Sequence, residues 1–176
     1  MDRLRDFDAL RDSVSNYENG GMDQITNHVR GTAFFPCGKG TWFEDNSDGH
    51  YPIGKIMILG QDFGTTEYVS HLVDREDIDT NPTWIMLSEI LHGAFIKEQD
   101  CFFTNAIMGS RSKGHATGKS PAFKNEVFMV NCFAMVFSEQ VRLLKPELII
   151  CCGKRVYEFL KLCKVLGFQD FDAKKT

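Results

Sequence analysis

The sequence contains no run of eighteen apolar residues, and it does not open on a charged segment leading into an apolar one. Neither a membrane span nor a secretory signal is indicated, so a cytoplasmic location is expected. Cysteine occurs at 6 of 176 positions, yet no two form a C-x-x-C pair. Cys151 and Cys152 are adjacent, so in a strand they face opposite ways and do not readily join one metal site. Reduced, buried thiols are expected instead. His28, His50, His71 and His92 show no ligand-like spacing and His115 reads as a solvated loop residue, so no metal is expected. A large excess of one charge is also missing. The net charge of −4 argues against broad electrostatic capture of nucleic acid, although sign asymmetry along the chain leaves room for local capture. Arg111, Lys113, Lys119 and Lys124 follow one another with no acid between them. Such a stretch reads either as a solvated loop or as a phosphate contact.

Apolar residues are plentiful, at 43% with 15 phenylalanines, in a chain whose length suits one domain over residues 1–176. Ile56 to Leu59 form an unbroken apolar run that reads as a buried parallel strand. It ends in Gly60, where the backbone can turn, and then presents the amide of Gln61 and the carboxylate of Asp62. Cys101 to Ala106 repeat the pattern with Asn105 at the tip, and Leu148 to Cys152 end at Gly153. Between and around these runs the spacing turns helical. Leu4, Phe7, Leu10 and Val14 predict a helix over 2–17, and a long irregular stretch over 22–54 follows. Asn81 and Pro82 suit a helix start, with Trp84, Leu87, Ile90 and Leu91 on the buried face. Pro121 opens a long helix with Phe123, Val127, Val130, Phe133, Ala134, Phe137, Val141 and Leu144 inward. A last helix runs from Lys154 to about Val165, with Val156, Phe159, Leu160 and Cys163 inside. Alternating strands and helices imply a three-layer α/β/α domain with a short parallel sheet. In such sheets the carboxyl ends of central strands point into the ligand crevice, where Gln61, Asp62 and Asn105 are expected to meet.

These strand tips resemble the uracil-DNA glycosylase superfamily. Gly60-Gln61-Asp62 is similar to its water-activating motif, and Phe103-Thr104-Asn105-Ala106 resembles its base-reading motif. The segment from Leu144 through Lys145-Pro146 to Gly153 looks like the third-strand region, and Asn81–Trp84 and Phe128–Cys132 fit the spacers. The similarity runs from about Lys55 to Leu162; each motif is short, and their order and spacing together carry the match. The resemblance implies a uracil-DNA glycosylase-like fold in a monomer that needs no cofactor. It also implies a partner, uracil-containing DNA, double- or single-stranded, and a reaction: hydrolysis of the N-glycosidic bond of uracil or a similar deaminated base.

The chain departs from that pattern in several places. The family carries a His-containing loop beyond the third strand, whereas no histidine here follows His115. The domain is accordingly expected either to be truncated at its C-terminus or to be a member without that arm. Iron–sulfur branches use four cysteines; Cys132 sits where one falls, but Gly109 stands where a partner is needed, so no cluster is expected. Phe63-Gly64 replaces the Pro-Tyr of the commonest branch, leaving the gate against thymine without its usual residues.

The chemistry implied is specific. A glycosylase flips a base from the stack, holds its Watson–Crick edge and cleaves the bond to the sugar. Asn105 is expected to read the base, since a carboxamide pairs with uracil N3–H and O4 and mismatches an amino-bearing cytosine. An asparagine there equally suits capping of the following loop. Asp62 is expected to orient water and stabilise a positively charged sugar, although its position also suits a helix N-cap. Gly60 and the backbone amides of Gln61 and Asp62 would approach a uracil carbonyl. Phe63 is the expected stacking ring, with Tyr68 available and Trp84 read as core. Lys113, Lys119 and Ser120 are the expected DNA-backbone contacts. Two rivals stand beside this reading. One is a catalytically impaired DNA-binding or regulatory member of the same fold. The other is a phosphate-binding nucleotide enzyme, disfavoured because only three residues separate Gly114 from Gly118 where the phosphate loop needs four.

Overall fold

A computed structural model describes Ala9, Met22 and residues 53–70, 82–115 and 118–165. The helix expected over 2–17, most of the stretch over 22–54, and Asn81 at the expected helix start lie outside the described residues. The elements are β1 (Ile56–Gly60), α1 (Thr66–Ser70), α2 (Pro82–Gly93) and β2 (Cys101–Asn105). They are followed by α3 (Glu126–Asn131), a π-helical segment (Cys132–Phe137), α4 (Ser138–Leu144), β3 (Leu148–Cys151) and α5 (Lys154–Val165).

Among the described residues the strands form one parallel sheet in the order β2-β1-β3. A central parallel strand has both faces covered, which is why β1 is a continuous apolar run and not an alternating one. Successive β1 residues serve two cores. Ile58 joins Cys101, Phe103 and the Trp84, Leu87 and Leu91 of α2 on one face. Met57 and Leu59 join Phe102 and a second set on the other face, including Phe128, Cys132, Phe137, Val156 and Phe159. The α/β layering is thus as expected, and Trp84 is core, its ring 4.8 Å from that of Phe103 at 62°. The helix following β1 lies on one face and the helices following β2 on the other. The connection after β1 therefore leaves on one face and those after β2 and β3 on the other, so the crevice of this open α/β sheet lies at the carboxyl end of the central strand β1.

The apolar face expected of the long helix needs correction. Pro121–Lys124 is a 3-10 turn, and the α-helix starts only at Glu126, capped by Asn125, whose Oδ1 accepts from the Phe128 amide at 3.0 Å. The π-helical turn then widens the repeat and shifts its phase. Phe128, Met129, Cys132 and Val136 point inward, while Val127 is 72% exposed and Ala134 faces out. Glu126–Leu144 has the length and mean hydropathy (1.4) of a membrane span, but half of it is buried inside the domain, which accounts for its apolar content. Cys101, Cys132, Cys151, Cys152 and Cys163 are free thiols. Burial pushes the thiols of Cys101, Cys151 and Cys152 up to about 11 and that of Cys163 to about 12.

The phase shift also turns Gln140 fully into the core. Its Oε1 accepts from the Thr104 hydroxyl of β2 at 2.8 Å, while its Nε2 has no partner. Orphaned buried groups cost more than a made hydrogen bond returns. Thr104→Val alone is therefore expected to cost about 1–3 kcal/mol by stranding the whole Gln140 amide. Adding Gln140→Leu should restore or exceed the original stability. Urea midpoints of the single and double variants check this; additive losses would show that the amide is better satisfied than its geometry indicates.

Candidate active site

The tips of β1 and β2 stay joined after the sheet ends. Gly60 lies opposite Asn105 in the register. The Ala106 amide donates to the Gly60 carbonyl at 2.9 Å, the Ile107 amide to Gln61 at 2.9 Å, and the Phe63 amide to Gly109 at 3.2 Å. Further on, Arg111 donates its amide to Gly64 at 2.8 Å and accepts from the Thr66 amide at 2.9 Å, forming a parallel bridge between Thr65 and Arg111. Four residues separate Gly60 from Thr65 and five separate Asn105 from Arg111, so the second segment carries one extra residue. Arg111 is thereby placed alongside the acid-bearing turn.

Asp62 is gripped from two directions. Arg111 Nε donates to Oδ2 at 2.7 Å and Nη2 to Oδ1 at 3.2 Å, with the side chains 4% and 3% exposed. The Gly64 amide donates to Oδ1 at 3.1 Å. Gly64 sits at φ +79°, a conformation costly for any residue with a Cβ, and it points its N–H at Asp62 and its carbonyl at Arg111. A carboxylate offers about four lone-pair sites. Three are filled, which leaves one, on Oδ2. Asp62 is not the cap of α1, because Thr65 Oγ1 takes that role, accepting from the Tyr68 amide at 3.2 Å.

The guanidinium reaches further. Nη1 donates to the His115 carbonyl at 2.7 Å and Nη2 to the Gly118 carbonyl at 3.1 Å. Gln61 Nε2 donates to the same Gly118 carbonyl at 2.9 Å. Asn105 is 1% exposed, and its buried amide nitrogen has no hydrogen-bond partner among the described residues. The amides just after it are taken by β1-side carbonyls, so Asn105 does not cap its own loop through them. Almost every buried polar group in a folded protein is satisfied, so this donor, like that of Gln140, calls for a partner, and at a strand tip a water or a ligand atom can supply one.

The family model described as the uracil DNA glycosylase superfamily matches residues 50–174. The chain belongs to the uracil DNA glycosylase superfamily. No curated protein is significantly similar to it in sequence.

The structure brings Gly60, Gln61, Asp62 and Asn105 of this superfamily member together at one sheet edge. Two of the expected contacts lie in the core. Phe63 is wholly buried with Phe102, Ile107 and Met129, so no base stacks on it without rearrangement of that core. Ser120 is 1% exposed and its hydroxyl lies 3.5 Å from Met22 Sδ, so it is not a DNA-backbone contact. Lys113 and Lys119 are exposed, Lys119 Nζ lying 5.9 Å from the Phe123 ring centre. The stretch read either as a solvated loop or as a phosphate contact begins with a residue that is neither solvated nor open to phosphate, since Arg111 is buried on Asp62. Its signal was indirect: a strand-tip acid heading into a sheet edge needs a cation, and Arg111 is the first one after Asn105. The nucleotide-binding reading also loses ground, because the Gly114–Gly118 loop turns the His115 and Gly118 carbonyls toward a guanidinium. A phosphate cradle presents N–H groups instead. Among the described residues no three His, Cys, Asp or Glu side chains are grouped to hold a metal.

Removing one partner of a buried ion pair strands the other charge. Asp62→Ala is expected to destabilise the fold by about 3–5 kcal/mol. Gly64→Ala, which forces a Cβ into a left-handed conformation, should cost about 1–2 kcal/mol. Denaturant titration measures both, and an Asp62→Ala loss below that of Gly64→Ala would show that the pair is not held in solution.

Proposed function

We propose that the protein is a DNA glycosylase that hydrolyses the N-glycosidic bond of uracil, or a similar deaminated base, in DNA. One observation carries this reading: the Asn105 amide nitrogen, buried and unpartnered at the tip of β2 beside Gly60, in a chain of this superfamily. A flipped uracil supplies the missing acceptor through O4, while its N3–H donates to the amide oxygen. Cytosine sets an amino donor against that nitrogen and leaves it unsatisfied, which costs about 1–3 kcal/mol.

Asp62 supplies the second half of the reaction. The remaining lone-pair site on Oδ2 orients one water toward the sugar carbon as the bond to the base lengthens. The carboxylate stabilises the positive charge that develops on the sugar. The water oxygen bonds to that carbon, the base leaves with the electron pair of the broken bond, and the water's proton is released. With Phe63 and Trp84 committed to the core, Tyr68, half-buried near Gly64, is the aromatic left available to stack on the base. Lys113 and Lys119 are exposed and would meet phosphates. Asn105 is covered, so base entry requires its cover to move aside.

A second reading is favoured by the Asp62–Arg111 pair. An acid whose charge is matched by a buried guanidinium also suits a member that recognises uracil in DNA without cleaving it. One experiment separates the two: a uracil-containing oligonucleotide assayed for uracil release and, by anisotropy, for binding. Uracil release is expected, with Asp62→Asn lowering the rate about 10²–10³-fold while binding persists. Asn105→Ala should reduce the preference for uracil over cytosine about 10–100-fold. Binding without release by the unaltered protein would favour the second reading, and neither binding nor release would overturn both.

A further inference from the structure

We propose that Arg111 is a positioning residue that sets Asp62 and Gln61 together for attack on the glycosidic bond, an inference that rests on the glycosylase reading. Arg111 lies outside the strand-tip motifs, 49 residues from Asp62 in sequence, yet it touches the groups on which the reaction turns. A guanidinium is a rigid plate whose five N–H donors hold fixed directions. Here Nε and Nη2 lie on the Asp62 carboxylate, which fixes where the one unfilled lone pair of Oδ2 points. Nη2 also lies on the Gly118 carbonyl, which is the acceptor for Gln61 Nε2. One plate therefore orients the acid directly and the amide through a shared oxygen.

The plate itself is fixed to the turn it organises. The Arg111 amide donates to Gly64, and its carbonyl accepts from the Thr66 amide and, at 3.2 Å, from the Thr66 hydroxyl. Arg111 therefore cannot drift relative to residues 62–66. A phosphate-binding role does not fit a side chain that is 4% exposed with donors committed to Asp62, His115 and Gly118. Net stabilisation is also a weak reason for such a pair, since apolar replacement of a buried ion pair is often neutral or favourable. What the guanidinium supplies that an apolar pair lacks is direction.

The test uses the full chain in single-turnover uracil release, with binding of the same oligonucleotide measured separately. Arg111→Lys retains the charge but loses the fork, and Arg111→Ala loses both. Misplacement of a reacting group by about 1 Å costs about 10²-fold, so both variants are expected to lose about that much rate with binding unchanged. In an Asp62→Asn background, Arg111→Lys should cost far less than in the unaltered protein, because most of its effect passes through the acid and only the part transmitted through Gln61 remains. If Arg111→Ala does not fold, the Lys variant and its double with Asp62→Asn carry the test. Full activity in Arg111→Lys, or losses that multiply in the double variant, would overturn the positioning role and leave the glycosylase reading intact. Absence of uracil release by the unaltered protein would overturn both.

Discussion

The arrangement at the sheet edge depends on one electrostatic constraint: a carboxylate withdrawn from water needs a cation against it. Asp62 is 3% exposed, and Arg111 meets it with two hydrogen bonds. Because the guanidinium comes from the segment beyond β2 and the acid from the segment beyond β1, satisfying the charge draws the two loops together. The backbone bonds of Gly64 and Thr66 to Arg111 then follow the same path.

Much of the sheet was legible in the sequence because it rests on short-range chemistry. An apolar run buried on both faces has few alternatives to a central parallel strand, and Gly60 and Asn105 end such runs in adjacent strands. Register then makes the tips neighbours without any long-range information. Phe63 and Ser120 were misread for a shared reason. Their neighbours in sequence, Asp62 and Lys119, are polar, whereas their burial is decided by Met22 and by core residues distant in the chain. Arg111 was hidden because its charge looked like part of a basic stretch, and the pairing that removes it from that stretch spans 49 residues. The long helix went out of phase because an Asn125 cap and a π-helical turn shift the count, and a fixed 3.6-residue period cannot anticipate either.

Charge at the surface follows from the same pairing. Arg111 is matched inside the fold, so it adds little to the external field, and the exposed cations of the stretch are Lys113, Lys119 and Lys124. For a chain of net charge −4, attraction to a polyanion would come from such a local group rather than from the whole surface. Discrimination would then fall to the buried end of the site, where Asn105 holds a donor that water does not reach.

On the proposed reading, recognition and chemistry would come from different strand ends. Asn105 at the tip of β2 would read the base and Asp62 just beyond β1 would orient water, and each would be useless if the strands slid past each other. The ladder fixes their separation along the chain, since Gly60 and Asn105 are partners. It does not fix how the Asp62 side chain is rotated, because that torsion lies beyond the last ladder bond. Arg111 removes this remaining freedom, and its guanidinium reaches Asp62 from the segment that follows β2. The acid is therefore oriented relative to the Asn105 end of the sheet and not merely relative to its own strand, as the proposed reaction would require for a water on Oδ2 and a base on Asn105 to share one glycosidic bond.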